Sequence, residues 1–296
     1  MSSVLYDVPG PVARRRARIF SVIFGILVLA GLYFVYRQLD KRGQWDAERW
    51  QVFTDPPLGQ TAEDVWSSLL LTGLGATLQA AATAAVIAAT VGVILAILRM
   101  SPLRWVRFPF IGIIELFRGM PVVLLMFFGV IALGLPFFWG VVFGLVLYNS
   151  AIIAEILRAG VVSLPVGQTE AGYAVGLPPM QTLFSIQLPQ AIRRMLPSLV
   201  SQFVVLLKDT SLGFIIGYAE LLRRVQTNTQ FFGQRYWFQF FVVGTLIYIA
   251  VNFTLSRVAV WLEHRGTKKA AGGVAGADEV EIQGVGGVGD HSWQAK

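Results

Sequence analysis

An all-α, polytopic membrane helix bundle is the fold class this sequence predicts, and three observations lead there. Hydrophobic residues make up 55% of the chain and charged residues only 14%, with a mean hydropathy of +0.63. A soluble domain could not hide that much apolar surface. The apolar residues are also gathered into uncharged runs long enough to cross a bilayer core. Finally, the basic residues lie between those runs and not on one patch. The net charge of +7 and the pI near 9.9 therefore point to membrane anchoring and not to nucleic acid. No cysteine is present, which excludes disulfides, thiolate metal sites and a cysteine nucleophile.

Taken from the N-terminus, Arg14, Arg15, Arg16 and Arg18 precede an apolar run from Ile19 to Tyr36. At about 18 residues, and with no small-x-small cleavage site after it, the run predicts an uncleaved spanning helix. The polar stretch from Arg37 to Asp64 predicts an extracytoplasmic loop. Ser67 to Leu98 carries no charge, and Ala80, Ala84 and Ala88 stack at the spacing that lets helices approach closely. Arg99, Arg104 and Arg107 close it. From Phe108 to Ala154 the charges are Glu115 and Arg118; this is too long for one span, and Gly134-Leu135-Pro136 predicts a hairpin break. Gly140 and Gly144 form a GxxxG on its second arm, a helix-packing signal.

Glu155 and Arg158 lead into a polar segment, 165–189. Beyond it Met195 to Leu207 is mostly apolar, Lys208 and Asp209 interrupt, and Thr210 to Ala219 is largely apolar again. A span broken this way predicts irregular backbone lining protein or water. Trp237 to Val260 is the last span, and the Gly- and Val-rich stretch from 266 to 296 predicts a disordered tail. The count is about six spans. The organisation is an arm, helix and loop over 1–66, a bundle over 67–265 and the tail. Placing the N-terminus in the cytoplasm puts Arg14–Arg18, Arg99–Arg107, Arg158–Arg194 and Arg257–Lys269 inside, against Arg223, Arg224 and Arg235 outside. Segment 165–189 and the tail then face the cytoplasm.

Within that segment, Val166 to Val175 predicts a short helix stopped by Gly176. A second starts at Pro178-Pro179, and Leu188-Pro189 is expected to end it. Each piece is about ten residues, or ~15 Å, half of what a bilayer core requires. A folded knob between membrane helices is suited to touch something outside the bilayer. No Lys or Arg lies between Pro165 and Gln190, which argues against a helix lying on lipid headgroups and for a protein partner. Glu170 offers the charge for pairing, and Ala171, Gly172 and Gly176 the small surface.

Two further groups carry charge at membrane depth. Glu115 with Arg118, and Glu155 with Arg158, are each at i and i+3, so each pair can neutralise itself. They face protein, water or headgroups, either along a substrate path or as braces of the bundle. Lys208 has an ammonium suited to a substrate carboxylate, with Thr210 and Ser211 supplying hydroxyls; the alternative is a salt-bridged Lys208–Asp209 kink that shapes the helix. No GxxxxGK[ST] phosphate loop occurs, and the histidines are His264 and His291. No catalytic residue, metal site or cofactor is expected.

Glu170-Ala171, Gly176 and Ile186-Gln187-Leu188-Pro189 resemble the EAA loop of ABC-importer permeases, the element that docks on the ATPase. Four further blocks resemble the polar amino-acid uptake subfamily. They are Gly73-Leu74-Gly75-Ala76-Thr77-Leu78, Glu115-Leu116-Phe117-Arg118-Gly119-Met120-Pro121, Ala154-Glu155-Ile156-Leu157-Arg158-Ala159-Gly160 and Leu206-Leu207-Lys208-Asp209-Thr210-Ser211-Leu212. The resemblance implies a five-span type I importer permease core, here with one added N-terminal span, in the plasma membrane with both termini cytoplasmic. It implies a transport subunit and not an enzyme. Its partners are an ABC ATPase, a second permease subunit (identical or different), an extracytoplasmic binding protein, an amino acid and membrane lipid. It assigns ATPase coupling to Glu170, Ala171, Gly172, Gly176, Leu188 and Pro189. Gly172 departs from the family pattern, which usually has alanine, and a glycine there softens the helix by up to about 1 kcal/mol. The block pattern, with Val4-Leu5-Tyr6-Asp7, looks most like glutamate permeases of high-GC Gram-positive bacteria; glutamine, aspartate or a basic amino acid stay open. An ion-driven secondary transporter would explain the broken span but not the knob; a membrane-anchored scaffold would be favoured by a well-packed interior with no polar path, and neither accounts for the whole set of blocks.

Overall fold

Helices account for every regular element among the described residues. A computed structural model describes the chain from Gly10 to Glu281, with the side chains of residue 259 and of residues 262–281 outside that description. It divides into two units, residues 1–65 with 228–242, and residues 66–227 with 243–296.

In the first unit, α1 (Pro11–Lys41) begins on a proline, whose missing N–H falls where no intrahelical bond is due. None of its residues is buried. Phe20 and Leu29 are 69% and 68% exposed, so the helix is apolar all round, as a lipid-facing span is. The polar connector that follows is tied down by aromatic contacts. Trp45 meets Phe238 edge-on at 5.2 Å, Phe53 meets Phe240 at 5.3 Å, and Phe232 stacks on Phe240 at 5.7 Å. Each such pair adds roughly 0.5–1.5 kcal/mol beyond its buried area. The buried Gln239 amide donates to the Gln44 carbonyl at 2.8 Å. Aromatic residues distant in sequence, from 45–53 and 232–240, are what order this stretch.

The long helix α2 (Ala62–Arg99) is started by a capping box: the Thr61 N–H donates to Asp64 Oδ2 at 2.8 Å, and the Asp64 N–H donates to Thr61 Oγ1 at 3.3 Å. Such a reciprocal pair satisfies donors that the first turn leaves open. In the second unit, α2 is followed by α3 (Arg104–Gly119), α4 (Val122–Ala132) and α5 (Phe137–Val162). Between α3 and α4 the chain bends by 103°. Met120 is extended there, with φ −90° and ψ 136°, because the ring of Pro121 clashes with a helical residue before it. The expected hairpin break follows, with Gly134 at φ +65°.

Helix α5 is the centre of this unit. Ala80, Ala84 and Ala88 of α2 are each 0% exposed, and beside them a Cβ on Gly92 would come within 2.7 Å of Ile153 Cγ2. Lipid tails are as apolar as leucine, so close backbone approach and van der Waals contact hold such helices together. Gly140 and Gly144 are likewise buried, against Val130 and Met126 of α4. Then come α6 (Val166–Ala174), α7 (Pro179–Ile216), α8 (Leu221–Phe232) and α9 (Trp237–Glu281). Among the described residues, five helices are long and apolar enough to cross a membrane, or six if the bent α3–α4 pair counts as one span. Helix α9 stays helical to Glu281, past the point at 266 where composition predicts a tail. Residues 282–296 lie outside the described residues, as do Val4-Leu5-Tyr6-Asp7, His291 and the side chain of His264.

Candidate functional site

Segment 165–189 folds into a knob whose shape follows from a few local rules. Pro165 precedes α6 in an extended conformation, with φ −57° and ψ 136°. The helix ends in a Schellman motif: the Leu177 N–H donates to the Gly172 carbonyl at 3.1 Å and the Gly176 N–H to the Tyr173 carbonyl at 2.9 Å. That pattern needs a left-handed residue just past the helix, and Gly176 has φ +81°. The next helix opens on Pro178 and Pro179 as expected. It does not end at Leu188-Pro189, however. A π-helical turn, Leu183–Gln187, passes directly into the α-helix Leu188–Asp209. Pro189 falls in the first turn of that helix, where its missing N–H removes little, so the knob is one end of α7.

Two amide side chains lash α6 to α7. The Gln187 amide donates to Thr169 Oγ1 at 2.7 Å, and the Gln190 amide donates to Gln168 Oε1 at 3.0 Å. Gly172 and Thr182 are both buried, and a Cβ on Gly172 would lie 2.6 Å from Thr182 Cγ2 and 3.0 Å from its Oγ1. The glycine is there to let the two helices touch. Leu188 is buried at 6% exposure, while Glu170, Ala171 and Pro189 are exposed. Glu170 has no ion-pair partner among the described residues. Around it Val166, Tyr173 and Val175 stand 71%, 50% and 74% exposed. The knob is thus internally braced and externally bare.

The charged pairs expected at i and i+3 both form, and a third helix joins them. Arg158 holds Glu155 at 2.6 Å, with its Nε at 3.0 and 3.1 Å from the two carboxylate oxygens. Arg118 lies 3.4 Å from Glu115. Arg99, at the end of α2, reaches Glu115 at 3.2 Å and Glu155 at 3.0 Å, with Arg118 also 3.9 Å from Glu155. The ends of α2, α3 and α5 are therefore tied by one network. Arg99 escaped the sequence reading because its partners lie on other helices, beyond any i+3 or i+4 rule. Arg99 and Arg158 also line a cavity with Tyr173 and Gln187, which sets the network beside the knob.

At the far end of α7 the helix tightens to a 3-10 turn at Thr210–Leu212. Lys208 is exposed and Asp209 half-buried; no salt bridge joins them, so the alternative of a salt-bridged kink is not what shapes this turn. The Thr210 hydroxyl donates to the Leu207 carbonyl at 2.6 Å and the Ser211 hydroxyl to the Lys208 carbonyl at 2.8 Å. The Tyr248 hydroxyl donates to that same Lys208 carbonyl at 2.9 Å. The protons of Thr210 and Ser211 are thus engaged by their own helix, while their oxygens and the Lys208 ammonium can still meet a ligand. Lys208–Ser211 and the Glu115–Arg158 network belong to opposite ends of the bundle and are not brought together.

Three buried polar features went unread in the sequence. Asn149 of α5 accepts from the Gln202 amide at 2.8 Å and donates to the Leu145 carbonyl at 2.8 Å. The Tyr218 hydroxyl donates to the Ala76 carbonyl at 2.9 Å. Glu220 lies between the spans ending at Ile216 and starting at Gln234. It is 0% exposed and caps α8 by accepting the N–H groups of Leu222 and Arg223 at 2.9 and 2.8 Å. Burial pushes its carboxyl up to about 7, against the pull of those two N–H groups. Glutamate is not a favoured cap residue, so no local signal marks it.

Comparison with known proteins follows the same outline. Residues 88–268 match the family model described as binding-protein-dependent transport system inner membrane component. The glutamate transport system permease protein GluD of Corynebacterium glutamicum is 39% identical over 236 residues, covering 77% of this chain and 83% of that protein. The probable glutamine ABC transporter permease protein GlnP of Bacillus subtilis is 40% identical over 176 residues, covering 56% and 81%. Among solved structures, an amino acid ABC transporter crystallised with histidines superposes with a TM-score of 0.61 at 28% identity, over 68% of this chain and 95% of that one.

Proposed function

We infer that this chain, which belongs to the family of binding-protein-dependent transport system inner membrane components and is an ABC importer permease for amino acids, carries glutamate and is driven through the knob at 165–189. The observation that carries the coupling reading is the knob's combination of rigidity and bareness. Its helix α6 is cross-linked to α7 by Gln187 and Gln190, yet it exposes Val166, Tyr173 and Val175 beside Glu170, which has no ion-pair partner among the described residues. A cytoplasmic ATPase docks on that face. Because the knob is one end of α7, its displacement passes along the helix to Lys208–Ser211. Closure of the ATPases then biases a two-state bundle between inward-facing and outward-facing forms.

The glutamate reading rests on the permease named for glutamate in Corynebacterium glutamicum and on Lys208, whose ammonium is free to meet a side-chain carboxylate. A second permease subunit and an extracytoplasmic binding protein complete the importer, with the chain termini in the cytoplasm. The test is copurification in mild detergent followed by ATPase assays with single amino acids. An ATPase subunit should copurify, and glutamate should stimulate it more than glutamine or arginine; stimulation by arginine alone would overturn the substrate. Glu170→Lys should abolish docking and uptake while the permease stays folded, and normal uptake in that variant would remove the knob from the coupling path.

A further inference from the structure

Beside the knob, the turn after α2 and the start of α3 border an open cavity of about 630 Å³ lined by Arg99, Arg107, Arg158, Tyr173 and Gln187. None of its lining residues is acidic. Arg99, Arg118 and Arg158 share only two carboxylates, Glu115 and Glu155. Arg107 adds a further cation and has no carboxylate partner among the described residues; its guanidinium lies 5.5 Å from the Phe108 ring. Three arginines of the network and Arg107 thus face two acids, an excess of two positive charges beside an open cavity.

The rest of the wall is apolar, with Met100, Ile111, Val162 and Leu183. A free inorganic anion gains nothing from such a wall, whereas a molecule with a charged head and a hydrocarbon body satisfies both halves. Next to the cavity, Leu103, Trp105 and Phe108 are 58%, 81% and 60% exposed, interleaved with Arg104 and Arg107. Aromatic and basic residues alternating at the end of a span mark the headgroup level of a bilayer. The volume falls within the range of about 300–1,000 Å³ that holds small ligands, enough for a phosphate head and the start of its chains.

We propose that this cavity binds the headgroup of an anionic phospholipid from the cytoplasmic leaflet, with its phosphate among Arg99, Arg107 and Arg158. Tyr173 and Gln187 belong to the knob, so the bound lipid joins the knob to the ends of α2, α3 and α5. Coupling then depends on anionic lipid. The proposal rests on the reading of the knob as a cytoplasmic coupling element.

The test uses the whole importer in nanodiscs of phosphatidylcholine with a rising fraction of phosphatidylglycerol. Glutamate-stimulated ATPase activity is read together with the number of phosphatidylglycerol molecules retained in native mass spectrometry. Stimulation should rise with phosphatidylglycerol in the wild type. Arg107→Gln should raise the half-maximal fraction about fivefold, the equivalent of ~1 kcal/mol per cation at an anionic surface, and should lose one retained lipid. Arg104→Gln removes the same charge outside the cavity and should shift the half-maximal fraction by less and lose no retained lipid. Equal effects of the two substitutions, no effect of Arg107→Gln, or stimulation of phosphatidylcholine discs by inorganic phosphate would each overturn the site. Failure of the ATPase to copurify would sink the coupling reading instead, and lipid retention by the permease alone would still decide the cavity.

Discussion

Gly172→Ala separates two opposed expectations for the knob. From helix propensity alone, alanine should firm α6 by up to about 1 kcal/mol. The geometry predicts the reverse. The new Cβ would sit 2.6 Å from Thr182 Cγ2, 3.0 Å from Thr182 Oγ1 and 3.3 Å from Ile186 Cδ1. Thr182 is 1% exposed and β-branched, so it cannot rotate away freely. Forcing a methyl into a packed contact costs roughly 1–3 kcal/mol; less the propensity gain of about 1 kcal/mol, a net loss of up to about 2 kcal/mol remains. Read as hydrogen exchange of the α6 amides, that is an acceleration of up to roughly 30-fold. Thr182→Ala in the same chain removes both clashing atoms. Its hydroxyl makes only long bonds, 3.3 and 3.4 Å, to Pro178 and Leu177, so the double variant should exchange no faster than the wild type. Slower exchange in Gly172→Ala alone would refute the close-contact argument and restore the glycine as a mere softener.

Two further outcomes follow from the charged groups. Glu155→Gln removes the carboxylate shared by Arg99, Arg118 and Arg158, whereas Glu115→Gln removes one that is 53% exposed; thermal unfolding in detergent should fall by more for the first, on the order of 1–3 kcal/mol, and equal falls would contradict the network as drawn. Glu220 has a carboxyl raised from 4.5 to about 7, so its contribution is fully present below pH 4.5 and is lost as pH rises through 7, by ~3 kcal/mol at most. Wild-type stability should therefore decline relative to Glu220→Gln between about pH 4.5 and 7, and parallel pH profiles would refute it.

Most of the spans could be read from uncharged runs, because in lipid an unpaired charge is expensive and a helix is the economical backbone. Ala80, Ala84 and Ala88 even disclosed which face of α2 is buried. The knob was legible too, from Gly176 and the Pro178-Pro179 start. Three features were not, and of these the first turns on distant partners. The connector after α1 is ordered by Phe238 and Phe240, nearly two hundred residues on (roughly the span between partners of such a long-range contact). The run through Leu188-Pro189 stays helical because a π-turn feeds the proline into a first turn. The 103° bend at Met120-Pro121 did carry a local signal, the rule for residues before proline, but it lay inside a long apolar run where Gly134 drew the break. Arg99 shows the same limit at the site, since its partners lie on other helices, whereas Glu220 caps its own helix with a residue type that seldom does so.

The central claim is that a knob at one end of α7 receives force from an ATPase, and it can be tested on a chain that contains no cysteine of its own. A single Val175→Cys, at a position 74% exposed on the knob, should cross-link to the ATPase subunit in membranes, with a yield that changes when ATP is added. Leu133→Cys, 50% exposed at the α4–α5 hairpin, should give no such product. Labelling of Val175→Cys by a membrane-impermeant thiol reagent applied from outside intact cells, or an ATPase cross-link from Leu133→Cys instead, would contradict the account.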